Sequence, residues 1–172
     1  NRIGAGAFNS VLARYPGLEH LDVAGNGLGA EGLLKLLPAL AGHAGLRSLG
    51  LADNAIDGPT MGRLARVLEG TGVLHVVLGR CCGARANVVD AEATDAWVAA
   101  LRRDPPWATI DLRGVIINEA DAERWLRAVS ESRLVRFNYD GELGAEVRAR
   151  LCHQANVRRV LPAPELGRLR RG

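Results

Sequence analysis

One recurrent spacing constrains this chain more than any other feature. Leu18-x-x-Leu21-x-Val23-x-x-Asn26-x-Leu28 recurs as Leu46-x-x-Leu49-x-Leu51-x-x-Asn54-x-Ile56. It recurs again as Val73-x-x-Val76-x-Leu78-x-x-Cys81, then as Trp107-x-x-Ile110-x-Leu112-x-x-Val115-x-Ile117, and last as Leu134-x-x-Phe137-x-Tyr139. All but one of the steps between copies have nearly the same length. Self-similarity at a fixed period is the mark of a solenoid, in which no unit buries its apolar face alone and stacked units share one core.

The second half of each unit keeps the same register. Leu36 and Leu40 follow Asn26, Leu64 and Leu68 follow Asn54, and Trp125 and Val129 follow Val115, each pair at the same two offsets. A spacing of four puts both side chains on one helix face. The first half alternates with period two, as a strand requires. Each unit is therefore a short strand, a turn and an amphipathic helix. Parallel strands at 21–23, 49–51, 76–78, 110–112 and 137–139 are expected. Residues 1–156 read as the repeat domain, a partial N-terminal repeat and about five full ones, and residues 157–172 as a cap and an Arg-rich tail.

The pattern resembles the leucine-rich repeat. Its long period with helices, near the upper end of the roughly 20–29 residues such repeats span, resembles the ribonuclease-inhibitor-like subclass. That resemblance implies an α/β horseshoe with strands on the concave side, helices on the convex side, and protein partners. Gly25-Asn26-Gly27-Leu28-Gly29 and the stretch Asp53 to Thr60 are similar to repeat text of the Ran GTPase-activating protein. Leu134-Val135-Arg136-Phe137-Asn138-Tyr139 and the basic tail resemble the final repeat of tropomodulin-like actin cappers. Ribonuclease inhibitor itself is far richer in Cys than this chain, which has three.

The Asn after each strand is polar but points inward, where its amide satisfies turn groups that would otherwise be buried unpaired. Asn26 and Asn54 are expected to form this ladder, Cys81 to continue it weakly, and Val115 to end it. The step from Val73 to Trp107 is longer than every other, so the third unit carries an insertion, expected near Cys82–Asp90. Insertions in solenoids map to loops, often on a binding face. Asn1-x-Ile3-Gly4 matches Asn26-x-Leu28-Gly29, so the chain is expected to start midway through a repeat, with the edge beside Leu18 left uncovered.

Register also lists the outward strand positions, the candidate binding face. The first column is His20, Ser48, His75, Thr109 and Arg136. The second is Asp22, Gly50, Val77, Asp111 and Asn138, and the third Ala24, Ala52, Gly79, Arg113 and Asp140. Small residues in the early units would admit a close partner, and charge marks the later ones. Aromatic anchors are missing from these columns. The partner-binding candidates are His20, Asp22, His75, Asp111, Arg113, Arg136, Asn138 and Asp140, with Arg158, Arg159, Arg168, Arg170 and Arg171 of the tail.

Net charge is +3, but residues 147–172 hold seven arginines against Glu165. Such a tail suits phosphates or an acidic surface. With no aromatics interleaved, base-specific reading of RNA is disfavoured. Chemistry is not written in the rest. His20 and His75 stand two repeats apart. The cysteines Cys81, Cys82 and Cys152 form no CxxC and suit a reducing, intracellular compartment. Gly4-Ala5-Gly6 lacks the strand and third glycine of a dinucleotide loop. Asp53 to Leu64 fails as a calcium loop, with Ala55 and Leu64 at ligand places. Asp90, Glu92 and Asp95 suit the start of a helix. No apolar run nears the roughly 20 residues that span a bilayer. The expectation is a non-catalytic scaffold or adaptor subunit with protein partners, no cofactor, no metal, no membrane and no small-molecule substrate. The alternatives are a regulator of an enzyme, such as a Ran-type GTPase activator or an inhibitor, and an RNA-associated assembly component using the tail.

Overall fold

The computed structural model describes residues 4–79 and 85–139. Five three-residue strands alternate with five helices: α1 (Ala5–Arg14), β1 (His20–Asp22), α2 (Gly29–Ala41), β2 (Ser48–Gly50), α3 (Gly58–Glu69), β3 (His75–Val77), α4 (Ala91–Arg102), β4 (Thr109–Asp111), α5 (Glu119–Glu131) and β5 (Arg136–Asn138). The strands form one parallel sheet in sequence order, β1-β2-β3-β4-β5. Each lies within a residue of its expected place. The register aligns Leu21, Leu49, Val76, Ile110 and Phe137 across the sheet, all buried.

The inward strand residues and one face of each helix build a single aliphatic core. Leu36, Leu40, Leu64, Leu68, Trp97, Leu101, Trp125 and Val129 are all buried, as their spacing of four requires. The few aromatics are concentrated rather than dispersed. Trp97 packs on Trp107 and Trp125 with ring centres 5.0 and 5.5 Å apart, and Trp125 stacks on Phe137 at 5.8 Å. Such offset contacts add to plain area burial.

Three helices begin with the same device in the same register. Asp57, Asp90 and Asn118 are N-caps whose side chains accept from Thr60, Ala93 and Asp121 backbone N–H groups at 2.9–3.0 Å. Each cap satisfies a donor that the helix start leaves over. Helices α3 and α4 pack closely because small residues face each other. A Cβ on Gly62 would lie 3.5 Å from the Ala93 Cα and the Ala96 Cβ. The Trp97 indole then reaches the Met61 carbonyl at 3.1 Å.

The asparagine ladder stitches the turns together. Asn54 Nδ2 donates to the carbonyls of Leu51, Ala52 and, one repeat back, Val23, at 3.0, 3.2 and 3.0 Å. Its Oδ1 accepts from the N–H groups of Asn26 and Leu28 at 3.1 and 3.2 Å. Asn26 repeats the local part, donating to Val23 and Ala24.

The third rung corrects the sequence reading. It is Asn87, not Cys81. Asn87 is 1% exposed, donates to Leu51 and Leu78 carbonyls at 2.9 Å each, and accepts from Ile56 N–H at 3.0 Å. A thiol has one weak donor and could not make all three bonds. Asn87 stands nine positions after Leu78, where Asn54 stands three after Leu51. The insertion therefore precedes the rung instead of following it, lying between Leu78 and Asn87 and overlapping the first part of the expected Cys82–Asp90. Cys81 and Cys82 lie outside the described residues. In the fourth unit Val115 takes the place with an apolar, buried side chain, so the amide ladder is interrupted there.

The N-terminal edge differs as well. Leu21, Val23 and Leu28 are 8%, 0% and 9% exposed, so the apolar side chains beside Leu18 are covered. Helix α1 packs on α2 and puts Phe8 and Leu12 into the common core, closing the convex side of that unit.

Candidate functional site

The three-residue strands expose one face as rows of aligned side chains. His20, Ser48, His75, Thr109 and Arg136 stand in one column, and Asp22, Gly50, Val77, Asp111 and Asn138 in the next, as register predicted. His20, Asp22 and Arg136 are exposed, and His75 and Asn138 half-buried. His75 Nδ1 lies 2.9 Å from Thr109 Oγ1 on the neighbouring strand. Ser48 separates His20 from His75 in the column, so strand spacing keeps the imidazoles about 9–10 Å apart at the backbone. Among the described residues no three His, Cys, Asp or Glu side chains converge as a metal site.

The small residues of this face serve the fold. A Cβ on Gly79 would lie 2.7 Å from the Arg113 backbone nitrogen, and a Cβ on Gly50 would meet the Asp22 carboxylate. Ala52 is 1% exposed. The expected use of these positions to admit a partner gives way to internal packing, because adjacent strands close over them.

The charged end of the face is where side chains come together. Asp111 is clasped by Arg113, with Nε at 3.0 Å from both carboxylate oxygens and Nη2 at 2.5 Å from Oδ2. The Arg113 backbone N–H adds a bond at 3.1 Å, and Asn138 Nδ2 one at 3.0 Å from the next strand. Burial works against ionising Asp111. The bonds from Arg113 and Asn138 outweigh it and hold the carboxyl below the usual aspartate range. A bidentate Arg–carboxylate pair with a further donor is among the stronger polar arrangements. Asp22 makes the first part of the same turn, accepting from Ala24 N–H at 3.0 Å, but has no arginine two residues on. Arg113 remains 46% exposed at its side chain, so the cluster is fixed from below and open above, and the exposed Arg136 stands across from Thr109 on the neighbouring strand.

Sequence reading named Asp111, Arg113 and Asn138 without joining them. The signal was available: Asp111 and Asn138 share a column on adjacent strands, and Arg113 is two residues along from Asp111. Asp140 and the tail arginines Arg158, Arg159, Arg168, Arg170 and Arg171 lie outside the described residues. Among the described residues no helix is long and apolar enough to cross a membrane.

No protein-family model matches the chain, and no curated protein sequence matches it. Solved structures do. The actin-binding site 2 of leiomodin-1 superposes with a TM-score of 0.71 at 16% identity, covering 96% of this chain and 92% of that one. The C-terminal domain of a tropomodulin from Caenorhabditis elegans superposes with a TM-score of 0.65 at 14% identity, covering 98% of each. The chain folds as a leucine-rich-repeat solenoid. At these identities the likeness concerns architecture: parallel strands on one side, helices on the other, over nearly the full length of both chains.

Proposed function

We propose that this chain is a non-catalytic protein-binding module of the ribonuclease-inhibitor-like repeat subclass, acting as a structural or adaptor subunit through its strand face. The carrying observation is the Asp111–Arg113–Asn138 cluster. It is pre-set by five side-chain and backbone bonds, so a partner would not have to order it, which lowers the entropic cost of association. The repeats gather most apolar residues into one continuous core, and among the described residues the exposed titratable groups do not assemble into a nucleophile–base pair, as catalysis would require. The leiomodin-1 domain that this chain resembles in fold is an actin-binding site, which makes actin the first partner to test.

The test is co-sedimentation and monomer-binding calorimetry of the full chain with actin, beside a pull-down whose partners are identified, each repeated with Arg113→Ala and Arg136→Ala. Binding of actin or another protein that weakens at least about fivefold in either variant supports the strand face. Unchanged binding in both variants moves the interface elsewhere. Acceleration of a partner's GTP hydrolysis would replace the scaffold reading with the regulator.

A further inference from the structure

Asn26 and Gly27 form the only Asn–Gly dipeptide of the chain. In such a pair the glycine nitrogen can attack the asparagine Cγ. The N–Cγ bond forms, the Cγ–Nδ2 bond breaks, and the proton lost from the glycine nitrogen leaves with the amide as ammonia. Water then opens the succinimide at either carbonyl, giving aspartate or isoaspartate. Glycine favours the reaction because no Cβ shields its nitrogen.

The fold restrains the pair against ring closure. Asn26 Nδ2, the leaving group, donates to the Val23 and Ala24 carbonyls at 2.9 and 3.2 Å. The N–H groups on either side of Gly27, those of Asn26 and Leu28, are both anchored to Asn54 Oδ1 at 3.1 and 3.2 Å. Gly27 itself is held at φ 62°, and a Cβ there would meet the Arg85 guanidinium reaching over from the insertion. The dipeptide is thus locked in one turn with its amide tied away.

We propose that Asn26 is a gated self-modification site, converted to aspartate or isoaspartate only when the first repeat opens, and that the product keeps it open. A carboxylate cannot donate to Val23 and Ala24, and isoaspartate adds a backbone carbon to a turn with no slack. The ladder is therefore both the guard of the reaction and its casualty. Asn54 and Asn87 are followed by Ala55 and Val88, so the later rungs lack the vulnerable pairing.

The full chain is held in mildly alkaline buffer and mapped by peptide mass over days, as wild type, as Asn54→Ala, and unfolded in urea. Conversion at residue 26 should be at least about tenfold slower in the native chain than in urea, and intermediate in Asn54→Ala. If Asn54→Ala does not fold, a series of urea concentrations below the wild-type unfolding transition replaces it, and the rate should climb before the global transition begins. Equal native and unfolded rates, a rate unmoved by Asn54→Ala or sub-transition urea, or faster conversion at another asparagine would overturn the proposal.

Discussion

Asn87 Oδ1 accepts the Ile56 N–H at 3.0 Å across the boundary between two repeats. The same side chain donates to Leu51 in the earlier repeat and Leu78 in its own. One amide thereby ties both strand ends to the turn that starts α3. It does so from the far side of an insertion, so the inserted residues leave the core register of α4 undisturbed. Asn87→Ala should cost about 1–3 kcal/mol, because buried carbonyls and an N–H lose their partner. Urea melting checks it, and a curve overlaying the wild type would remove Asn87 from the ladder.

Ala55 occupies a left-handed conformation, with φ 55°, in the turn place where the first repeat has Gly27. A side chain there is strained, and the exposed methyl contributes no core packing. Ala55→Gly should raise stability by about 1 kcal/mol, the relief of strain exceeding the added freedom of the unfolded chain. A lower melting midpoint would contradict this.

Gly79 lies against the Arg113 backbone rather than a movable side-chain end. Gly79→Ala should therefore destabilise by about 1–3 kcal/mol, since one strand end must shift to admit the methyl. It should also loosen the Asp111–Arg113 pair carried on the next strand. Thermal unfolding gives the first effect, and the amide shifts of residues 111–113 give the second.

The Asp111 carboxyl is held below its ordinary 3.8, with burial opposing and the Arg113 and Asn138 bonds prevailing. Its folded value is depressed, so its contribution is complete above the unfolded value and is lost as pH falls through the folded one. Stability should therefore drop more steeply below about pH 4 in the wild type than in Asp111→Asn. Parallel acid-unfolding curves for the two proteins would count against the assignment.

The repeat period alone determined the strand register, the buried helix faces and the columns of the outward face. Leu21, Leu49, Val76, Ile110 and Phe137 align because a side-chain period of two and a fixed unit length leave one way to share a core. Tertiary structure decided what depends on backbone partners. Asn87 escaped the pattern because an insertion displaced it from the third place after the strand. What identifies a rung is the set of unpaired turn groups around it, which exists only once two repeats stack. For the same reason the small residues of the strand face read as open space in the sequence, yet Gly79 is filled by the Arg113 backbone. Asp111, Arg113 and Asn138 could each be named from the chain. Their union needed the parallel pairing of β4 and β5, which brings the Asn138 amide within 3.0 Å of the Asp111 carboxylate.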